Sequence, residues 1–461
     1  MSDKDRYSEE DARLAREAAD AVYASLLKRL GEASPRPRLA PTRRAVDYMG
    51  DPQQAYPVIQ VAGTNGKTST SRMIESLLRA HGLRVGLFTS PHLERFNERI
   101  VIDGAPISDL SLATNWLDVE PYLTMTDAEL VGRGESTLSF FEALTVLAYA
   151  AFADAPVDVA VIEVGMGGEW DSTNVADAQV AVFTPIALDH TRQLGATIEE
   201  IARTKSGIVK PAAAAVSAKQ TPEAEAVLRQ AAELTESTIV FEGADFDVES
   251  TTVAVGGQLV SVRGLVTRYE QLLLPFFGDH QAENAAVAIA AVETFLGGGT
   301  QELTGNVLDE GFAAATSPGR LQIVGQSPRT VVDAAHNPHG AASLAAAIER
   351  YFDFDRVTAV LGVLAEKDAE GILRALRPVV DELIVTTAPS ERGVPAEELA
   401  ELARTVFPAE SVRVAEDPDG ALTAGRLLAA RTDKGALLVT GSITLVGRTM
   451  TVARDENWLG A

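Results

Sequence analysis

Val58 to Thr70 reads V-I-Q-V-A-G-T-N-G-K-T-S-T. Val58, Ile59 and Val61 make an apolar run short enough for a buried parallel strand. Gly63 and Gly66 then turn the chain and deliver Lys67, Thr68 and Ser69. A helical pattern follows, with Met73, Ile74, Leu77 and Leu78 on one face and Gly82 as its stop. Strand, glycine turn, Lys-Thr and helix together build a phosphate cradle. The glycines let backbone N–H groups point inward, the helix N-terminus adds partial positive charge, and Lys67 reaches the β/γ-phosphates. Gly63, Thr64, Asn65, Gly66, Lys67, Thr68 and Ser69 are therefore candidate nucleotide contacts, and Thr68 carries its hydroxyl where Mg²⁺ is usually ligated. The pattern G-x-x-x-x-G-K-[ST] is incomplete, because Val61 stands where its first glycine belongs.

A fold predicted around this stretch is α/β. At 461 residues the chain exceeds a single core, so two or three domains are expected. The net charge of −25 argues against nucleic acid or an anionic membrane as partner. Any phosphate or carboxylate site must then be positive locally. The absence of cysteine excludes disulfides, thiol catalysis and thiolate metal sites. The apolar run 143–155 is too short to span a bilayer and reads as a buried helix. Met1 to Asp11 has no apolar secretion core, and a cytoplasmic enzyme fits best.

Upstream of the phosphate loop, Leu14, Ala18, Ala21, Leu26, Leu27 and Leu30 are spaced for one helix face. A connector rich in proline (Pro35, Pro37, Pro41) and a short helix follow. Downstream, residues 84–90 form a second buried strand ending at Ser90. A strand-like segment from Asn97 to Ile107 turns at Asp103-Gly104. Next come a helix over 109–125 and a polar, mobile loop around Gly132 and Gly134. Ser139 and Glu142 have capping-box spacing at the head of the apolar helix. The strand 157–165 carries Glu163 near its tip, where a carboxylate commonly holds Mg²⁺ beside a phosphate loop. The strand 179–184 leads to His190, and a helix over 198–211 carries Lys205. Residues 239–275 read as a small antiparallel meander, and 280–296 as an Ala-rich helix.

Past Ser317-Pro318-Gly319-Arg320 the pattern resets to regular β/α alternation. This predicts an open, mostly parallel, Rossmann-like C-terminal domain whose first strand ends in Asp333-Ala334-Ala335-His336-Asn337-Pro338. The boundaries expected are 1–316 for an N-terminal ATPase domain (mostly parallel sheet plus the small antiparallel one), 317–321 for a linker and 322–461 for the C-terminal domain. Ser90, Glu163 and His190 each end a separate predicted strand, the edge where α/β proteins bind ligands. Five of the six histidines (92, 190, 280, 336 and 339) fall in such turns.

Several motifs occur together: G-T-N-G-K-T at 63–68, T-S-P-H-L at 89–93 with E-R-I at 98–100, and E-V-G-M-G-G at 163–168. L-D-H at 188–190, H-Q-x-x-N-A at 280–285, P-G-R at 318–320 and D-x-A-H-N-P at 333–338 complete the set. With them the chain resembles the folylpolyglutamate synthase/dihydrofolate synthase family, a branch of the Mur ligase superfamily, over all but its first forty-odd residues. The family's shorter G-T-N-G-K-[ST] loop accounts for Val61. The resemblance implies an ATP-dependent ligase that joins glutamate to dihydropteroate, to folates, or to both. ATP phosphorylates the acceptor carboxylate, and the glutamate amine attacks the acyl phosphate.

By motif match, one Mg²⁺ is held by Ser90 with Thr68 and a second by Glu163 and His190. Lys205 matches the lysine that CO₂ carbamylates in this superfamily, and with Lys67 and His190 it makes the catalytic set. Asn284, Arg320, Asp333 and His336 match groups around ATP. Phe140, Phe141 and Asp171 are candidates for the pteridine, and Ser390 and Arg392 for glutamate. One position departs from the family, which commonly has Arg where this chain has Glu169. The expected partners are ATP, L-glutamate and the pteroate or folate acceptor, acting on a monomer.

Three other readings compete. A Mur ligase for a nucleotide-linked peptide is disfavoured by the T-S-P-H-L…E-R-I segment and by the lack of a domain for a UDP-sugar. A P-loop switch or motor NTPase leaves the second α/β domain without a role. A catalytically silent relative is argued against by Lys67, Glu163, His190 and Lys205.

Overall fold

In the computed structural model, which describes residues 9–31 and 36–460, eight strands form the first sheet. They are β1 (Val58–Ala62), β2 (Val85–Phe88), β3 (Ile100–Ile102), β4 (Ala105–Pro106), β5 (Val159–Glu163), β6 (Val180–Phe183), β7 (Ala214–Ser217) and β8 (Thr238–Phe241). Their order is β4-β3-β2-β5-β1-β6-β7-β8, parallel throughout except for the β3–β4 edge. β1, β5 and β6 are buried along their whole length, as expected for a parallel sheet covered on both faces. The phosphate loop leaves the centre of this sheet, between β5 and β6.

Three antiparallel strands follow: β9 (Asp247–Ala254), β10 (Gly257–Arg263) and β11 (Arg268–Leu274). The third sheet holds β12 (Gln322–Gln326), β13 (Arg329–Val332), β14 (Arg356–Leu361), β15 (Glu382–Val385), β16 (Val412–Val414) and β17 (Gly435–Thr440). Its order is β12-β13-β17-β14-β15-β16, parallel but for the hairpin strand β12. The expected α/β class, with a small antiparallel sheet beside the first large one and an open α/β unit after it, is what the chain adopts. Among the described residues no helix is long and apolar enough to cross a membrane.

Four expectations need correction. The first helix, Glu9–Leu27, buries Ala19, Val22 and Leu26, whereas Leu14 is 50% and Leu27 58% exposed. The stripe is narrower and rotated from the one the spacing suggested. Pro41 starts the helix Ala40–Tyr48 instead of ending a connector, in keeping with proline's place at a helix start; Pro35 lies outside the described residues. The helix from Asp109 runs through Pro121 to Gly132, so Gly132 closes a helix and belongs to no loop. Finally, β8 joins the large sheet in parallel, leaving only 247–274 to the meander. The strand β7 and the helix Pro222–Leu234 fill a stretch the sequence reading passed over.

Candidate active site

The phosphate-loop helix, Lys67–Ala80, begins directly after Gly66, whose φ is +90°. A Cβ on Gly66 would lie 2.5 Å from the Asn284 amide oxygen, and one on Gly63 would lie 1.9 Å from Thr184 Oγ1. Both glycines are thus required by close approach as well as by backbone angle. The Asn284 contact presses the helix Asp279–Gly297 against the loop.

Two lysines meet beneath this turn. Lys67 Nζ donates to the carbonyls of Gly63 (3.2 Å) and Thr64 (3.4 Å), and Lys205 Nζ donates to that of Gly63 (2.8 Å). Burial pushes both amines down, and Lys205, with the Lys67 charge beside it, falls to about 7. An amine near 7 is substantially neutral at physiological pH, which carbamylation by CO₂ requires.

Glu163, the last residue of β5, accepts from Thr68 Oγ1 at 2.9 and 3.1 Å and from the Ser90 N–H at 3.3 Å. Burial pushes its carboxyl up against the pull of Lys67. A buried carboxylate bonded to the Thr68 hydroxyl, with Ser90 lining the same cleft, is a hard oxygen set that fits Mg²⁺ completed by water and phosphate oxygens. Among the described residues no three His, Asp or Glu side chains gather as a metal cluster. His190 sits in left-handed backbone (φ 50°), with its ring 3.8 Å from Asp189. Burial, and then Lys367, lower His190 to about 3, so it is a neutral imidazole.

Above the strand ends lies the third sheet's unit. Asn65 accepts from Asn337 Nδ2 and hydrogen-bonds His339 Nδ1, each at 3.0 Å. Lys367 donates to Asp189 at 2.7 Å, with His336 Nε2 3.7 Å from the same carboxylate. Although burial opposes ionisation, His336, His190 and Lys367 hold Asp189 well below the usual carboxylate range. The Asp333 carboxylate accepts from Leu321 N (2.7 Å) and Ala335 N (2.8 Å), and so fixes the linker beside Arg320. Ser69 spends its hydroxyl on Ser317 at 2.8 Å. Asn65, Ser69, Asp189, Asp333, His339 and Lys367 line a cleft of about 780 Å³ that also takes in Arg320, His336 and Arg392.

Ser139 and Glu142 do form the capping box, and Glu142 also takes both ends of the Arg38 guanidinium (2.8 and 2.7 Å). The aromatic pair it introduces divides. The Phe141 ring lies along the cleft against Gly165. Phe140, 3% exposed, packs instead among Tyr23, Phe96 and Arg99 and does not line the cleft, which corrects its candidacy for the pteridine. Asp171 borders the cleft, but its carboxylate is engaged by Met166 N and by the N–H and hydroxyl of Thr173, anchoring the glycine loop. Ser390 accepts from the Arg392 N–H and lies off the cleft, while Arg392 pairs with Glu366 at 2.5 Å. Glu169 is exposed and outside the cleft lining, so the departure from the family's Arg falls away from the site.

Asp189 and Asn337, though inside quoted motifs, and His339, though among the turn histidines, carry no role in the sequence reading, and Lys367 is absent from it. Asp189, Asn337 and Lys367 stand in turns beyond a strand, where the rule that found Ser90 and Glu163 would have found them too, and His339 lies in the first turn of the helix that follows.

The description "Mur ligase middle domain" matches residues 61–292, and "Mur ligase, glutamate ligase domain" matches 319–443. The chain is 43% identical over 437 residues to the dihydrofolate synthase/folylpolyglutamate synthase of Mycobacterium tuberculosis, covering 90% of each. It is 36% identical over 344 residues to the Escherichia coli protein of the same name, covering 75% of this chain and 76% of that one. The M. tuberculosis folylpolyglutamate synthase complexed with ADP superposes with a TM-score of 0.90 at 41% identity, covering 95% of this chain and 99% of that one. The E. coli structure in complex with DHPP and ADP gives 0.82 at 32%, covering 95% and 98%.

Proposed function

Since this chain belongs to the folylpolyglutamate synthase/dihydrofolate synthase family of Mur ligases, we infer from the layout of its cleft how its residues join glutamate to a pteroyl or folyl carboxylate with ATP. The enzyme is an ATP-dependent, amide-forming ligase. Phosphate groups and acceptor meet over β1: the loop 63–69 takes the phosphates, and Phe141 with the glycine loop 165–168 flanks the acceptor on the β5 side. The observation that carries this reading is the convergence of Lys67 and Lys205 on the Gly63 carbonyl beside the Thr68–Glu163–Ser90 oxygen set. It gathers opposite charges where a carboxylate and a triphosphate must be brought together.

Lys67 neutralises the γ-phosphate as it passes to the acceptor, and the N-terminus of the helix Lys67–Ala80 holds it in line. Thr68, Ser90 and Glu163 would hold Mg²⁺, which supplies neutralisation of phosphate and acyl oxygens. His190, neutral and beside Asp189, borders that position. Lys205 as its carbamate would replace a cation with an oxygen ligand next to the loop. Arg320 of the linker, Asp333 and His336 close the nucleotide side, while Lys367 and Arg392 present positive charge for the incoming glutamate's carboxylates. The units 1–316 and 322–461, joined through 317–321, then work as nucleotide-acceptor and glutamate halves. We further propose that both additions, to dihydropteroate and to folates, occur in this one cleft, in a monomer working in the cytoplasm.

The test is ADP release with ATP, Mg²⁺ and L-glutamate, comparing 7,8-dihydropteroate with tetrahydrofolate and using Lys67→Ala as control. Glutamate-dependent turnover with both acceptors is expected. Turnover with one restricts the enzyme to that step, and ADP release indifferent to acceptor and glutamate overturns the ligase reading.

A further inference from the structure

On the side of β1 away from Glu163 and Ser90, the cleft continues over the ends of β6, β7 and β8. Lys219 and Gln220 line it after β7, Glu242 directly after β8, and Glu283 and Asn284 from the helix Asp279–Gly297. Gln220 has no free amide group: its oxygen accepts from Ile186 N (3.0 Å), and its nitrogen donates to Thr184 O and Ser217 Oγ. Glu242 differs. It is only 8% exposed; one carboxyl oxygen accepts from Lys219 N at 2.9 Å, and the other has no hydrogen-bond partner among the described residues. Burial, reinforced by the Glu283 charge, raises this carboxyl to about 7. On a residue otherwise enclosed, that second oxygen opens into the cleft and is placed to accept from a ligand's donor.

Distance identifies which part of the nucleotide it meets. β8 is three strands from β1 in the order β1-β6-β7-β8, about 14 Å at the usual strand spacing. Measured from phosphates held at β1, that is beyond the ribose and close to the far edge of a purine. Asn284, in contact with the loop at Gly66, bridges the interval.

We propose that Glu242 determines the nucleobase: its free carboxyl oxygen accepts a hydrogen bond from the 6-amino group of adenine and so selects ATP over 6-oxo purine triphosphates. Adenine presents a donor at this position where guanine and hypoxanthine present an acceptor, and a site built for a donor discriminates strongly against an analogue lacking it. The inference rests on ATP binding at the phosphate loop.

Inosine triphosphate isolates the 6-position. In Glu242→Gln the single amide oxygen must still serve the Lys219 N–H, which turns the NH₂ group toward the base. The ATP-over-ITP ratio of kcat/KM is expected to fall about tenfold or more, with KM for glutamate unchanged. Glu242→Ala removes the preference from both sides. Direct titration with ADP and IDP reads the same ratio without turnover, so a failure of the ligase reading leaves this test intact. A ratio unchanged in folded Glu242→Gln overturns the proposal. Equal weakening of ADP and IDP also overturns it and leaves Glu242 as a prop for the Lys219 turn.

Discussion

At the scale of single residues, the cleft is built on backbone that tolerates little change. Gly66→Ala would force a Cβ to within 2.5 Å of the Asn284 oxygen at a φ of +90°. We expect at least tenfold weaker ADP binding by titration, with Thr184 and Gly63 posing the same problem next door. Lys205 gives a pH prediction. With its amine lowered to about 7, it is charged below that pH and neutral above it. Carbamylation needs the neutral form, so activity should rise as pH increases through about 7. Added bicarbonate should raise the rate at fixed pH below that point, and Lys205→Arg should abolish the response. His190, held near 3, contributes nothing to this limb. Among the charged groups of the site, Lys67 and Glu163 were legible from their place at strand ends and Lys205 from its motif, whereas Asp189 and Lys367 were given no role. Partnering was not: the chain shows Asp171 and Phe140 as chemistry-bearing residues, and only coordinates show that one is bound by Thr173 and the other enclosed by Tyr23 and Phe96.

At the scale of elements, legibility followed burial. β1, β5 and β6, buried throughout, announce themselves as apolar runs. β8, Thr-Ile-Val-Phe, is only partly buried at a sheet edge and lies directly before the antiparallel strands, and so passes for a meander strand. The helix Glu9–Leu27 was found, but its face was misread, because a stripe of alanines and leucines has several equivalent registers. The structure separates them. Leu26→Ala should cost about 2–5 kcal/mol in denaturant unfolding, whereas Leu14→Ala and Leu27→Ala should stay within about 0.5 kcal/mol. The two phenylalanines heading the helix Phe140–Asp154 divide the same way. Phe140→Ala should cost about 3–5 kcal/mol of stability, and Phe141→Ala should act chiefly through the acceptor's KM. A Phe140→Leu variant with unchanged stability and a raised acceptor KM would reverse that assignment.

For the whole molecule, the two α/β units are hydrogen-bonded on several sides of the linker. Asn65 meets Asn337 and His339; Lys367 meets Asp189; Glu94 meets Arg454; and Asp279 meets Tyr351 and Arg350. Most of these pairs join residues far apart in the chain and carry no local signal, so the closed arrangement could not be read in advance even though both units could. The Lys367–Asp189 pair is nearly enclosed, so removing one partner strands a buried charge, a loss of about 3–5 kcal/mol. Asp189→Ala should therefore open the ligand-free particle, seen as a larger radius of gyration in solution scattering. An unchanged radius would assign closure to the other contacts. The Asn65 bonds have a further result. If Asn65 cradles the phosphates as proposed, the same residue clasps the second unit, and release of spent nucleotide is expected to require the halves to part. The same parting would uncover the flank proposed for the pteroyl group. Exit is shared, and the elongating chain should be set free after every addition, so growth is distributive: a labelled monoglutamate chased with excess unlabelled acceptor should yield mostly the diglutamate.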